Sequence, residues 1–162
     1  MKIILVRHGE AENPSPSISD QSRTLTPKGD NDIHKIGRFI KSSTLKVNHL
    51  FFSPYTRTKQ TAEILCKEID YKGEMISAEE LACGNGCSDI ISCLVEFGNS
   101  DTVLLVGHNP DITYFAAQLL GNSSAVENLV FQPGSTIAIN VAREKFSHGQ
   151  IIWAISPDQL NL

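Results

Sequence analysis

The 162-residue sequence predicts an α/β fold of three layers, α/β/α, around a mainly parallel sheet with an antiparallel edge strand. Three observations carry that expectation. Short aliphatic runs alternate along the chain with longer segments whose apolar residues recur at helical spacing. Hydrophobic residues make up 41% and charged residues 20%, an ordinary globular composition that excludes disorder. No repeat, low-complexity tract or linker breaks the alternation, so one domain over 1–162 is expected.

The first strand is Lys2 to Arg7, with the aliphatic run Ile3-Ile4-Leu5-Val6 at its centre. A polar loop follows, ENPSPSISDQSRTLTP, whose three prolines and four serines are too breakable for regular structure. It is long for a compact domain, and long loops at strand ends often carry function. Thr26-Pro27 starts a helix with Ile33, Ile36 and Ile40 on one face. His49 to Phe52 is a short strand ending in Ser53-Pro54, and the next helix buries Ala62, Leu65 and Ile69. A weaker strand near Glu74 to Ala78 leads into the EELACGNG turn and a helix with Ile90, Ile91, Leu94 and Val95. Thr102 to Val106 is the cleanest strand; after Gly107-His108-Asn109-Pro110 comes a helix with Ile112, Phe115, Ala116 and Leu119. Thr136 to Ala142 and Gln150 to Ile155 have β character and suit a hairpin at a sheet edge.

The net charge of −4 argues against a nucleic-acid binder that works by wholesale phosphate neutralisation, but leaves a local basic pocket open. The first apolar run is too short for a signal peptide and no stretch approaches a membrane span, so a cytoplasmic protein with no membrane partner is expected. Cys66, Cys83, Cys87 and Cys93 are then reduced thiols. Cys83 and Cys87 flank Gly84-Asn85-Gly86 at a spacing that invites a metal. No second pair or nearby histidine completes it, so neither metal nor cofactor is expected.

In open α/β sheets ligands bind at the carboxyl ends of the strands. Arg7 and His8 close the first strand, His108 closes the Thr102 strand, and Arg57 lies about one turn into the helix after Phe52. Three strands thus deliver cationic or imidazole groups to one edge. Ser53-Pro54 and Asn109-Pro110 each read as an N-cap followed by a first-turn proline, adding two helix N-termini that favour an anion. Gly9 and Gly107 remove bulk beside each histidine, which would let a ligand approach. The common solution is a phosphate pocket. His34, His49 and His148 have no comparable setting and read as structural or solvated.

RHGEAE, SPYTRTKQTAEIL and VLLVGHNP, in that order, resemble the histidine phosphatase superfamily, also called phosphoglycerate mutase-like. Its RHG is matched by Arg7-His8-Gly9, its S-P-x-x-R-x-x-Q-T by Ser53 to Thr61, and its second catalytic histidine by His108. SRTLTPKG, EELACG and the terminal WAISP bring the likeness nearest to the SixA-type phosphohistidine phosphatases, over nearly the whole chain. Only 50 residues, Thr58 to Gly107, separate Arg57 from His108, which leaves no room for the large cap that bigger members insert there. The asparagine that many members carry six residues after the catalytic histidine falls one place early, at Asn13, with Pro14 in its position.

The resemblance implies a phosphoryl transfer in two steps through a phosphohistidine on His8. Arg7, Arg57 and His108 would bind the phosphoryl oxygens, with Gly9, Asn13 and Arg23 contacting substrate and no metal required. Arg23 reads equally well as a solvated loop arginine. Glu80 is the positional match for the family's general acid, and a solvated Glu79-Glu80 turn fits as well. The implied function is hydrolysis of phosphohistidine on a signalling protein. The alternatives are a phosphatase for a small phosphate ester and, in another class, a non-catalytic phosphate- or phosphoprotein-binding module. The nucleophile His8 argues against the last.

Overall fold

The computed structural model describes residues 1–160, apart from the side chains of Ser123 and Ala125. The last two residues of the expected 1–162 span lie outside the described residues.

Six strands form one sheet in the order β3-β2-β4-β1-β5-β6. They are β1 (Lys2–Arg7), β2 (His49–Phe52), β3 (Met75–Ser77), β4 (Thr102–Gly107), β5 (Thr136–Asn140) and β6 (Gln150–Ile155). The β1–β4, β2–β4 and β2–β3 pairings are parallel. The β1–β5 and β5–β6 pairings are antiparallel, so the C-terminal hairpin closes one edge as its sequence suggests.

The helices are α1 (Pro27–Ser42), α2 (Thr56–Glu68), α3 (Cys87–Ser92) and α4 (Asp111–Leu119). Successive side chains of a strand point to opposite faces. Ile4 and Val6 therefore pack with Ile33, Ile36 and Ile40 of α1 and with Ala62 and Leu65 of α2. Ile3 and Leu5 pack with Ile90 of α3 and with Ile112, Phe115 and Leu119 of α4. Both faces of β1 and β4 are covered, which is why their sequences run aliphatic without alternation.

The Thr26 hydroxyl accepts from the Gly29 N–H at 3.0 Å, with Pro27 opening α1, so that cap forms as its sequence indicates. The helix expected over Ile90 to Val95 ends earlier, at Ser92. Beyond it the backbone closes by three-residue steps, Leu94 N–H to Ile91 and Phe97 N–H to Leu94, which buries Leu94 and leaves Val95 exposed.

Two other capping assignments need correction. The N-cap of α2 is Tyr55, not Ser53, because the Ser53 N–H still pairs with Val106 of β4 and its hydroxyl is engaged elsewhere. The N-cap of α4 is Pro110, not Asn109, whose side chain donates to the Phe131 carbonyl and accepts from the Thr113 hydroxyl.

The polar loop after β1 is irregular, apart from a 3₁₀ turn at Asp20–Ser22, but it is tied down. Glu12 N–H donates to the Thr24 carbonyl, Thr24 N–H returns to the Glu12 carboxylate, and Leu25 N–H reaches Gln60 of α2.

Candidate active site

Strand register sets the site. Arg7 lies opposite Gly107, and Phe52 opposite Val106, so Arg7-His8, Ser53 and His108 emerge side by side at the carboxyl edge of the sheet. Arg57, on the first turn of α2, reaches back over them. A pocket of about 270 Å³ opens there, lined by Arg7, His8, Glu10, Ala11, Arg23, Arg57, Cys83, His108, Asn109 and Pro133. A larger cavity of about 610 Å³ lies at the opposite edge, beside the C-terminal ends of α1 and α2, and no histidine or arginine lines it. The smaller pocket is the one that gathers the histidines and arginines.

His8 is only 9% exposed. Its Nδ1 lies 2.7 Å from the Gly9 carbonyl, which can only accept, so Nδ1 carries the proton and Nε2 the lone pair. Nε2 accepts from Arg57 Nε at 3.1 Å. Burial, reinforced by the charges of Arg57, Arg7 and Arg23, lowers the His8 pKa to about 4. At neutral pH it is an uncharged imidazole with its lone pair at the pocket.

His108 sits edge-on to His8, with ring centroids 5.1 Å apart. Its Nδ1 accepts from Arg57 Nη2 at 3.3 Å. Its Nε2–H then donates to the Ser53 hydroxyl at 2.8 Å, with Ser53 wholly buried. Burial, then the neighbouring His8 and Arg57, lower its pKa to about 3. The Tyr55 ring packs edge-on against His108 at 4.6 Å and lies 4.8 Å beneath the Arg57 guanidinium.

The Arg57 side chain is 3% exposed and Asp20 is its counter-ion, with Oδ2 3.0 Å from Nη2. Arg7 Nη1 donates to the Phe131 carbonyl at 2.6 Å, while its Nε is buried without a partner. An unpaired buried guanidinium donor beside an imidazole lone pair suits an anionic oxygen.

Of the residues expected at the site, Arg7, His8, Arg23, Arg57 and His108 converge on the pocket. Arg23 is held there by Asp20 and the Glu12 carbonyl rather than solvated. Asn13 is exposed and Glu80 is partly buried, and neither lines the pocket. The capping residues Tyr55 and Pro110 do not line it either, so neither helix's N-cap belongs to its walls.

Gly9 and Gly107 also act differently from the ligand-access expectation. A Cβ on Gly9 would come within 2.9 Å of the Gly29 carbonyl and Ile33, and one on Gly107 within 3.0 Å of Ile112. Each glycine admits a helix, α1 or α4, against its strand end. The contribution of Gly9 to the site is its carbonyl, which sets the His8 tautomer.

Four residues at the site escaped sequence reasoning. Ser53 was legible only as a helix cap and as the start of the S-P-x-x-R segment, Cys83 only as half of a metal-spaced pair, and Tyr55 and Asp20 gave no signal of their own. All four cysteines are free. Among the described residues, no group of three or more His, Cys, Asp or Glu side chains is placed to hold a metal ion. Among them, too, no helix is long and apolar enough to cross a membrane.

A family model described as the histidine phosphatase superfamily (branch 1) matches residues 3–82. Phosphohistidine phosphatase SixA of Escherichia coli (strain K12) is 26% identical over 166 residues, spanning 100% of this chain and 98% of that protein. A solved structure of the protein histidine phosphatase SixA complexed with tungstate shares the fold, with a TM-score of 0.85 at 21% identity over 98% of this chain and 99% of that one. A putative alpha-ribazole-5'-P phosphatase from Escherichia coli shares it at 0.74 and 18% identity, over 97% and 98%. Family model, full-length relative and shared fold agree: the chain matches the histidine phosphatase superfamily (branch 1) over residues 3–82 and is similar to SixA over its whole length.

Proposed function

We propose that the chain is a metal-independent phosphatase that removes phosphoryl groups from phosphohistidine on a protein, through a covalent intermediate on His8. The observation that carries this reading is the Gly9 carbonyl holding the proton on Nδ1, which leaves Nε2 as a neutral nucleophile at the pocket floor. Full-length likeness to a phosphohistidine phosphatase supports the substrate class.

In the first step Arg57 Nε gives up its hydrogen bond to His8 Nε2, which forms a bond to phosphorus as the bond from phosphorus to the substrate's ring nitrogen breaks. Arg7, Arg57 and Arg23 offset the charge that spreads over the equatorial oxygens. His108 lies beside them, its ring fixed by Ser53. A substrate imidazole already protonated on its other nitrogen leaves neutral, so no general acid is needed at this step. In the second step water attacks the phosphorus, releasing phosphate and restoring His8. An alkyl ester would need a proton delivered to its leaving oxygen. Glu80, the family's positional match for that role, does not line the pocket.

A second reading, a phosphatase for small phosphate esters, is favoured by the shared fold of an alpha-ribazole-5'-P phosphatase. Against it, the residues between Arg57 and His108 are taken up by α2, β3, a 3₁₀ turn, α3 and β4, with no large insertion to enclose a small substrate. We propose the whole chain as one such domain without a cap. A side-by-side assay tests the choice: a phosphorylated histidine-containing phosphocarrier domain against a panel of sugar phosphates. The phosphoprotein should turn over with kcat/KM at least about a hundredfold higher, roughly the span an unstabilised leaving group costs. Equal or better turnover of the sugar phosphates would overturn the protein-substrate reading.

A further inference from the structure

We propose that Asp20 is a built-in stand-in for the substrate's phosphoryl group, occupying Arg57 in the free protein and yielding it when a phosphoryl group enters. The proposal rests on the reading of this pocket as a phosphoryl site and concerns how that site is gated.

Arg57 has five N–H donors and no acceptor. Nε is spent on His8 at 3.1 Å, one Nη1 hydrogen on the Asp20 carbonyl at 2.6 Å, and the Nη2 hydrogens on Asp20 Oδ2 at 3.0 Å and His108 Nδ1 at 3.3 Å. One donor is left. A phosphoryl group gripped by the guanidinium fork must therefore take over bonds that Asp20 holds. Arg7 differs, since its buried Nε has no partner to give up.

Burial explains why the position needs an acid. A guanidinium 3% exposed with no counter-ion would destabilise the fold, because burial strips its hydration without replacing it. Asp20 supplies the charge, and Arg23 holds the same carboxylate through Nε at 2.9 Å and Nη2 at 2.5 Å. The two partners are unequal in a way that permits exchange. The Arg57 side chain is locked in the floor, whereas that of Asp20 is 55% exposed on the loop after β1. Released, the carboxylate turns into water at little cost, and the incoming phosphoryl group neutralises Arg57 in its place. The residue thus keeps the free site stable while lowering its affinity for phosphate.

Calorimetric titration of inorganic phosphate into the purified wild-type protein, Asp20→Asn and Asp20→Ala separates the possibilities. Both variants keep the Asp20 backbone carbonyl and lose the carboxylate. The proposal expects both to bind phosphate about tenfold more tightly, the scale of two partly exposed ion-pair contacts removed from competition. A merely structural role would not tighten binding. Unchanged or weaker binding in both variants would overturn the proposal and make Asp20 a fixed support for Arg57. Tightening in Ala but not Asn would also overturn it, since the competitor would then be side-chain bulk and not charge. Failure of the wild-type protein and both variants alike to bind phosphate would instead remove the phosphoryl-site reading itself, and this proposal with it.

Discussion

The floor of the pocket and its rim are built on opposite terms. The floor is strand ends and the first turn of α2: His8, Ser53, Arg57 and His108 are all buried, and each is held by a defined hydrogen-bond partner. The rim is the loop after β1, where Asp20 is 55% exposed and Asn13 and the neighbouring serines face solvent. A buried floor fixes protonation states, because desolvation and neighbouring arginines decide them. An exposed rim can only trade contacts. On the proposed reading, chemistry falls to the floor and admission of substrate to the rim.

The largest expected effect falls on the floor's centre. His8→Ala should abolish turnover, a loss of at least about a thousandfold in kcat, since the alanine leaves no group at that position to carry the phosphoryl. Steady-state assay with the phosphoprotein checks it, and residual activity above about 1% would break the division between floor and rim. Arg57→Lys keeps the charge but loses the fork, and should cost about a hundredfold in kcat/KM.

Ser53→Ala should be smaller, about tenfold in kcat. It should also cost about 1–3 kcal/mol of stability in urea unfolding, because the His108 Nε2–H is left buried without an acceptor. Wild-type stability would mean that Ser53 is a bystander.

The floor's depressed pKa values also predict acid sensitivity of the fold. In the folded state His8 and His108 stay neutral down to about 4 and about 3, whereas in the unfolded chain they protonate near 6.5. The unfolded state therefore binds more protons below that value, and stability is lost as pH falls from about 6.5 toward the folded values. The slope should approach two protons, at most about 2.7 kcal/mol per pH unit. Urea midpoints between pH 7 and 5 measure it, and His108→Gln should reduce the slope by about one proton. A wild-type curve flat over that range would show that these histidines are not buried as neutral groups.

The smallest effects should come from outside the pocket. Asn13→Ala should change kcat/KM less than about threefold, as an exposed side chain without a place in the pocket. Glu80→Gln should leave phosphohistidine hydrolysis within about tenfold, because that leaving group needs no acid. A larger loss in either variant would draw the rim or the 3₁₀ turn into the chemistry.

The same contrast explains what could be read from the sequence. Strand periodicity and the rule that ligands meet the carboxyl ends of strands bring Arg7, His8, Arg57 and His108 together without coordinates. The edge hairpin and the Thr26-Pro27 helix start were legible because their signals are local. Ser53 and Asn109 misled because a hydroxyl or amide before proline has a cap's appearance, whatever tertiary partner claims it. Gly9 and Gly107 show that a side chain is missing, but not on which side the space is used. Asp20, among serines in a loop without periodicity, offered nothing to distinguish it from a solvated acid. Long-range pairing alone reveals it.

The most direct test of the central claim is the site of phosphorylation on the enzyme itself. Rapid quenching with labelled phosphohistidine protein, then mass spectrometry to find the residue and chromatography of alkaline hydrolysates against Nδ1- and Nε2-phosphohistidine standards, locates the phosphoryl group to an atom. The Gly9 carbonyl holds the proton on Nδ1, so the account predicts phosphate on Nε2 of His8, stable in base and labile in acid. Phosphate on Nδ1 of His8, on Ser53 or on Cys83 would contradict it.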